Sequence, residues 1–479
     1  MRTGHLAFRV VMPESNFHVA IVGGGASGIL AAIQLLKLGR PPVMHVFNDG
    51  FELARGVAYS AKCNHVVLNV PANRMSAFPG LPAHFVEWLK ERHGALYSGD
   101  SFVPRRIYGD YLRDTLRVAV NKAPAGCFHV CEGRVHGLAP KKDGYEILWG
   151  NRKTLANAVV LALGNIPPAN PSLKCERFTS DSRYLSNIWQ EADKLHRIRG
   201  HEKIVILGCG LTALDAILQL RQQGHQGRIN LISRRGQWPS VHELGLPPIP
   251  VSSELSDCDP AGLIQALREK APSLERQGGN WRQVIDGLRP VTDALWAGWT
   301  LRQRRSFLRH LRPYWDMHRH RMAPEVWQSL RQEIGKGAVR LDAGRLTAIR
   351  PEKDALVVAY HPRRQTAVRE LRADAVINCT GSETLRRQGC QPLISSLLEQ
   401  DLAQLDPFGL GLVTDSDAAL LNATGQAVPG LYAIGPVRRG SLWETTAIPE
   451  IRVQGESIAQ EICRYRREKK SEPLGVYSF

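Results

Sequence analysis

An α/β fold with two Rossmann-like domains and a helical insertion is predicted by three features of the 479-residue chain. HVAIVGGGASGILAAIQLL (18–36) and KIVILGCGLTALDAIL (203–218) each read as an apolar strand, a glycine turn and a helix. Between them and the last strands, residues 260 to 335 carry helical spacing with few β-branched residues, as several helices over a cleft would. The length exceeds the roughly 250–300 residues a single core supports, so more than one domain is required.

The elements follow in order. Residues 17 to 50 read strand, turn, helix, strand. Polar loops then carry two short helices, HFVEWLKERHG and YGDYLRDTLRVAV, and the strands CFHVCEGRV, GYEILWG and NAVVLALG. Pro167, Pro168 and Pro171 mark a seam between about 165 and 201. Beyond the second glycine turn come the strand RINLISRRG, the helical insertion, and the strands AVRLDAGRLTAIR, ALVVAYH and ADAVINCTG. The last segment reads strand, loop and a helix with Pro449 near its start, where a missing N–H costs little. The expected division is 16–200 for the first part of one domain, 201–370 for a second domain with an insertion at about 255–335, 371–465 for the rest of the first, and 466–479 for a basic tail.

A hydrophobic fraction of 43% with 22% charged residues is that of an ordinary folded protein. No apolar run approaches the roughly 20 residues that span a bilayer, and the opening lacks a signal-peptide core. Nine cysteines, odd in number and scattered, suit a reducing cytoplasm. No C-x-x-C occurs, which argues against a zinc ribbon and against a disulfide-reducing pair; Cys127 and Cys131 have no second pair, and no metal is expected. The net charge of +17, densest in LRQRRSFLRHLRPYWDMHRHRMAPE (301–325), favours anionic partners. Dinucleotides and a small anionic substrate satisfy it without nucleic acid.

The first fingerprint, Gly23-Gly24-Gly25-Ala26-Ser27-Gly28, lets a pyrophosphate approach the backbone at a helix N-terminus. The acid expected about 20 residues on is replaced by Asn48, followed by Asp49; an amide still bonds a ribose hydroxyl. The second, Gly208-Cys209-Gly210-Leu211-Thr212-Ala213, is followed after its next strand by Ser233-Arg234-Arg235, where arginine pairs with a 2′-phosphate and favours NADPH over NADH. Two cradles, with apolar strands ending at Gly164 and Gly381 and a third strand ending at Gly435, predict a two-dinucleotide-binding flavoprotein, with FAD in the first cradle and NADPH or NADH in the second.

RGVAYS (55–60), LNVPANRMSAF (68–78), GLTALD (210–215), ISRRGQWP (232–239), WDMHRHRMAP (315–324) and LWETTAIPEIRVQ (442–454) resemble the FAD/NAD(P)-binding family that includes bacterial FAD-dependent urate hydroxylase and aspartate N-monooxygenase. The resemblance runs over almost the whole chain. It implies an enzyme in which NAD(P)H reduces the flavin, one atom of O2 passes to substrate and the other leaves as water. No side-chain nucleophile is then required, and none is assigned. Substrate-handling candidates are Asn69 and Arg74, the basic stretch Arg312, His318, Arg319, His320 and Arg321, and Trp443, Glu444 and Thr445. The resemblance makes urate, hydroxylated to 5-hydroxyisourate, the first expectation for the substrate. An N-hydroxylase of an amino acid or amine is the nearest alternative; a flavin reductase serving a partner protein and a non-catalytic flavin sensor are the others.

Overall fold

The computed structural model describes residues 17–471 apart from 62, 199, 251–257, 383 and 387–390. Two sheets organise it. The first has the order β15-β16-β7-β1-β2-β3, with β1 (His18–Val22), β2 (Val43–Asn48), β3 (Phe128–Glu132), β7 (Ala158–Leu161), β15 (Ala419–Leu421) and β16 (Ala427–Ala433). Its strands pair in parallel except β15, which runs against β16. Every residue of β7 is buried, as in a sheet covered on both faces. A meander of β4 (Val135–Lys141), β5 (Gly144–Trp149) and β6 (Arg152–Ala156) stands beside it.

The second sheet has the order β13-β12-β11-β10-β9-β14-β8. Its parallel part is β8 (Tyr184–Leu185), β14 (Ala375–Asn378), β9 (Ile204–Leu207), β10 (Ile229–Ser233) and the start of β11 (Val339–Pro351). β11 continues antiparallel to β12 (Leu356–Pro362), and β12 to β13 (Arg369–Ala373). This sheet reaches outside 201–370 at both ends, because β8 and β14 pair beside β9.

The helices follow the local signals. α1 (Ala26–Leu36) and α6 (Leu211–Gln222) leave the two glycine turns. Between them stand α2 (Gly56–Tyr59), α3 (His84–His93), α4 (Arg105–Lys122) and α5 (Ala192–Arg197). The insertion comprises α7 (Pro260–Arg276), α8 (Trp281–Leu288), α9 (Thr292–Gly298), α10 (Leu301–Ser306), a π-helical turn (Phe307–Leu311), α11 (Arg312–Arg319) and α12 (Pro324–Gly335). Asp259 caps α7, and the pairs Asn280/Gln283 and Thr300/Gln303 form capping boxes on α8 and α10. α13 (Pro392–Glu399) and α14 (Ile448–Ser471) return to the first unit, with Pro449 in the opening turn of α14.

The insertion has its own aromatic core of Trp296, Trp299 and Phe307, which also takes in Trp443 from the segment before α14. Side by side, the connections after β7 and β14 link the units: the Asn378 amide donates to the Ala169 carbonyl at 2.9 Å. Among the described residues, no helix is long and apolar enough to cross a membrane.

Candidate functional site

Both glycine turns sit at the C-terminal edge of a parallel strand, where the backbone must reverse within a few residues. Gly23 has φ +118°, and a Cβ there would lie 2.2 Å from the Ala162 carbonyl oxygen; Gly208 has φ +103°, and its Cβ would lie 2.3 Å from the Cys379 carbonyl oxygen. The two cradles are therefore built alike: each turn packs on the end of the neighbouring parallel strand, and only glycine fits. Gly25 and Gly210 are the N-caps of α1 and α6, with Ala26, Ser27 and Gly28 opening one helix and Thr212 and Ala213 the other. Neither helix has a capping side chain or an acid in its first turn, unlike α7, α8 and α10, where Asp259, Asn280 and Thr300 take the first N–H groups. Free N–H groups at the positive end of a helix suit a pyrophosphate. The donor set thus fits a dinucleotide at each turn.

The first cradle has walls that the fingerprint alone does not reveal. Ala54, at φ +71°, donates its N–H to the Gly24 carbonyl at 2.8 Å and brings Gly56 against Gly25. Gly435, with φ +77°, lies against Ser27 so closely that a Cβ would stand 2.6 Å from the hydroxyl oxygen. Gln454 accepts from the Gly435 N–H at 2.9 Å and donates to Thr445 Oγ1 at 2.8 Å, and Thr445 donates to the Gly435 carbonyl at 2.9 Å. Thr445 is fully buried and holds this turn in place. Asn48 closes β2 beside Gly24, its amide donating to the Phe51 carbonyl at 2.8 Å and to Glu132 at 3.3 Å. Asp49 is exposed.

In the second cradle, Ser233 accepts from the Gly236 N–H at 2.9 Å and shapes the turn after β10. Arg234 is exposed and makes no ion pair or hydrogen bond with a described residue. Arg235 packs on the insertion, at Tyr314 and the His310 carbonyl. Gly164 and Gly381 follow β7 and β14, both at positive φ with open space where a side chain would be.

Between the cradles, the loop holding Asn69 and Arg74 faces α8, α11 and the start of α14, and four arginines approach one another there. Arg321, 1% exposed, donates twice to Asp286 at 2.7 and 3.0 Å. Arg319 pairs with Glu444 at 3.0 Å, and Arg289 with Glu450. Arg74 is near Asp286, Arg289, Arg319 and Arg321, yet among the described residues it has no ion pair or side-chain hydrogen bond. Burial, and then the three other arginines, pull its guanidinium pKa down against the attraction of Asp286.

The remaining candidates divide. Glu444 is buried and also accepts from Trp315 Nε1 at 3.3 Å; burial resists its ionisation, but Arg319, His320 and Arg289 outweigh that and hold its carboxyl below the usual range. His320 is part-buried, with a third of its side chain accessible; desolvation lowers its pKa below the usual imidazole value against the pull of Asp316 and Glu444, which favours the neutral ring at pH 7. His318 donates to the Tyr314 carbonyl and packs on Trp281. Arg312 pairs with Asp316. Trp443 is packed between Trp296, at 4.9 Å, and Phe307, at 5.1 Å. Asn69 offers its carbonyl to His242 Nε2 at 2.9 Å, and burial lowers the pKa of His242 to about 4.

His242, Asp286, Gly56 and Gln454 are the residues that sequence reasoning missed. Gly56 lies within RGVAYS, so a signal existed; Asp286 had none.

Residues 20–166 match a family model described as FAD-NAD(P)-binding, so this stretch is an FAD/NAD(P)-binding domain. No curated protein matches the chain in sequence. The whole fold is that of two-dinucleotide-binding flavoproteins. It is similar to L-lysine 6-monooxygenase from Pseudomonas syringae (TM-score 0.66, 16% identity, covering 93% of this chain and 99% of that one). Similar too is an ornithine N-hydroxylase of Kutzneria sp. 744, solved with reduced FAD, NADP+ and L-ornithine (TM-score 0.62, 14% identity, 94% and 99% covered). The thioredoxin reductase of Lactococcus lactis shares the architecture at a TM-score of 0.55 and 12% identity, with 94% and 99% covered.

Proposed function

We propose that the protein is an FAD-dependent monooxygenase that uses NADPH and O2 to hydroxylate the nitrogen of an amine or amino acid. The observation that carries this reading is the pair of uncapped glycine cradles, with Arg74, in the charged cluster between them, unpaired among the described residues. The similarity to lysine and ornithine hydroxylases supports nitrogen as the acceptor. The absence of C-x-x-C sets the chain apart from enzymes that reduce a disulfide through such a pair. Nothing in the site bears on urate, the substrate first expected from the resemblance.

Gly23, Gly25, Ala26, Ser27, Gly28 and the turn at Gly435 would hold FAD; Gly208, Gly210, Thr212, Ala213 and Arg234 would hold NADPH. Bound FAD supplies the redox chemistry: amine, NADPH, O2 and a proton give hydroxylamine, NADP+ and water. The chain's own residues do the rest. Arg74 binds an anionic group of the substrate, because the other three arginines of the cluster are neutralised by Asp286, Glu444 and Glu450. His320, neutral and accessible, accepts the proton that the substrate ammonium must lose before its nitrogen is nucleophilic. The aromatic core around Trp443 closes one side against water.

NADPH oxidation by the FAD-loaded protein, followed with L-lysine, L-ornithine, L-aspartate, simple amines and urate, tests this. The expected result is acceleration by an amine with hydroxylamine formed in equal amount. Urate loss without hydroxylamine would turn the reading to ring hydroxylation. Electron transfer to a dye with no oxygenated product from any substrate would end the monooxygenase reading.

A further inference from the structure

Arg235 is held from outside its own unit. Its guanidinium stands 4.4 Å from the centre of the Tyr314 ring, and Nη2 donates to the His310 carbonyl at 3.3 Å. Both partners belong to the insertion: His310 lies in the π-helical turn, and Tyr314 in the first turn of α11. π-turns are rare and concentrate at functional sites. Tyr314 is 39% exposed and lies outside the insertion's aromatic core. Arg309, in the same π-helical turn as His310, and Arg234, next to Arg235 in the chain, are exposed and have no side-chain partner among the described residues.

An arginine stacked on an aromatic face keeps its planar fork oriented, and the N–H groups not given to the His310 carbonyl remain for a phosphate. Little conformational entropy is then lost when the ligand arrives. We propose that Tyr314 and the His310 carbonyl position Arg235 as one wall of the site for the 2′-phosphate of NADPH, so that the helical insertion, and not the end of β10 alone, sets the preference for NADPH over NADH. This rests on the reading of the second cradle as the nicotinamide site. Tyr314 is a positioning residue. The helix that carries it also carries Trp315 and Arg319, which bond Glu444 at 3.3 and 3.0 Å, so one helix spans the distance from the 2′-phosphate wall to the charged cluster.

The test is calorimetric binding of adenosine 2′,5′-bisphosphate and of 5′-AMP to the FAD-loaded full chain and to Tyr314→Leu and Tyr314→Phe. The native protein should bind the bisphosphate on the order of tenfold or more tighter than 5′-AMP, as charge-assisted bonds to one phosphate provide. Tyr314→Leu should cut that preference by roughly three- to tenfold, the worth of a cation–π contact, with 5′-AMP unchanged, while Tyr314→Phe keeps it. A native protein with no preference would overturn the NADPH site itself. A native preference that survives in Tyr314→Leu would overturn the role of Tyr314 and leave the cradle standing. Equal weakening of both probes in Tyr314→Leu would reduce Tyr314 to a structural contact and also overturn the proposal.

Discussion

Arg105 on α4 reaches Asp215 on α6 at 3.0 Å, joining the first dinucleotide unit to the helix that opens the second cradle. Both side chains are largely withdrawn from solvent, at 15% and 8% exposure. Arg105 also donates through Nε to the Val67 carbonyl at 3.1 Å, so the guanidinium is held from both sides. With the His242–Asn69 bond nearby, this contact fixes where the second cradle stands relative to the loop that carries Arg74.

The pair predicts a pH effect. Burial pushes the Asp215 carboxyl up to about 6 although Arg105 pulls it down, against 3.8 in the unfolded chain. The folded state therefore holds the proton more tightly. This contribution is complete below about 3.8 and is lost as the pH rises through about 6, amounting to about 3 kcal/mol. Denaturant unfolding at pH 4 and pH 7 should show the drop in the native protein, and Asp215→Asn should remove about that much of it. An unchanged difference between the two pH values would mean that Asp215 does not carry it.

Alanine at the two equivalent glycines separates the cradles. Gly23→Ala drives a Cβ into the Ala162 carbonyl, and the purified protein should lack flavin absorbance. Gly208→Ala makes the same clash with Cys379 in the other unit, and should retain flavin that dithionite reduces but NADPH does not. Flavin retained by Gly23→Ala and lost by Gly208→Ala would exchange the assignments.

Arg321 and Arg74 should respond in opposite ways. Removing Arg321 leaves Asp286 charged and unpaired in the interior, a loss of about 3–5 kcal/mol read from the unfolding midpoint. Arg74→Ala breaks no bond to a described residue and should change stability by less than about 1 kcal/mol. Its effect should fall on KM, raised by roughly tenfold or more for substrates with a carboxylate. A KM that stays at the native value would remove Arg74 from the site.

His320→Gln should lower kcat at neutral pH and recover as the pH rises, since free amine then needs no acceptor for its proton. A defect that stays constant with pH would assign the ring a packing role.

The sequence by itself determined the local features. Strand, turn and helix lie within about twenty residues at each cradle, and the positive φ at Gly23 and Gly208 is a local steric demand, so the glycine spacing was enough to place them. The capping boxes of the insertion are legible for the same reason. Tertiary structure alone decided which charges are spent. Arg319 and Glu444 are 125 positions apart, and Arg321 and Asp286 are 35 apart; no spacing rule relates them, and only the packing of α11 on α8 and on the segment before α14 brings them together. The same holds for β8, only two residues long, which becomes a strand because β14 lies beside it to pair with. Backbone sterics act over a few residues and leave a mark in the chain, whereas ion pairing is settled by which surfaces the fold presses together, and that is how Arg74 came to be the arginine of the central cluster that has no ion pair or side-chain hydrogen bond among the described residues.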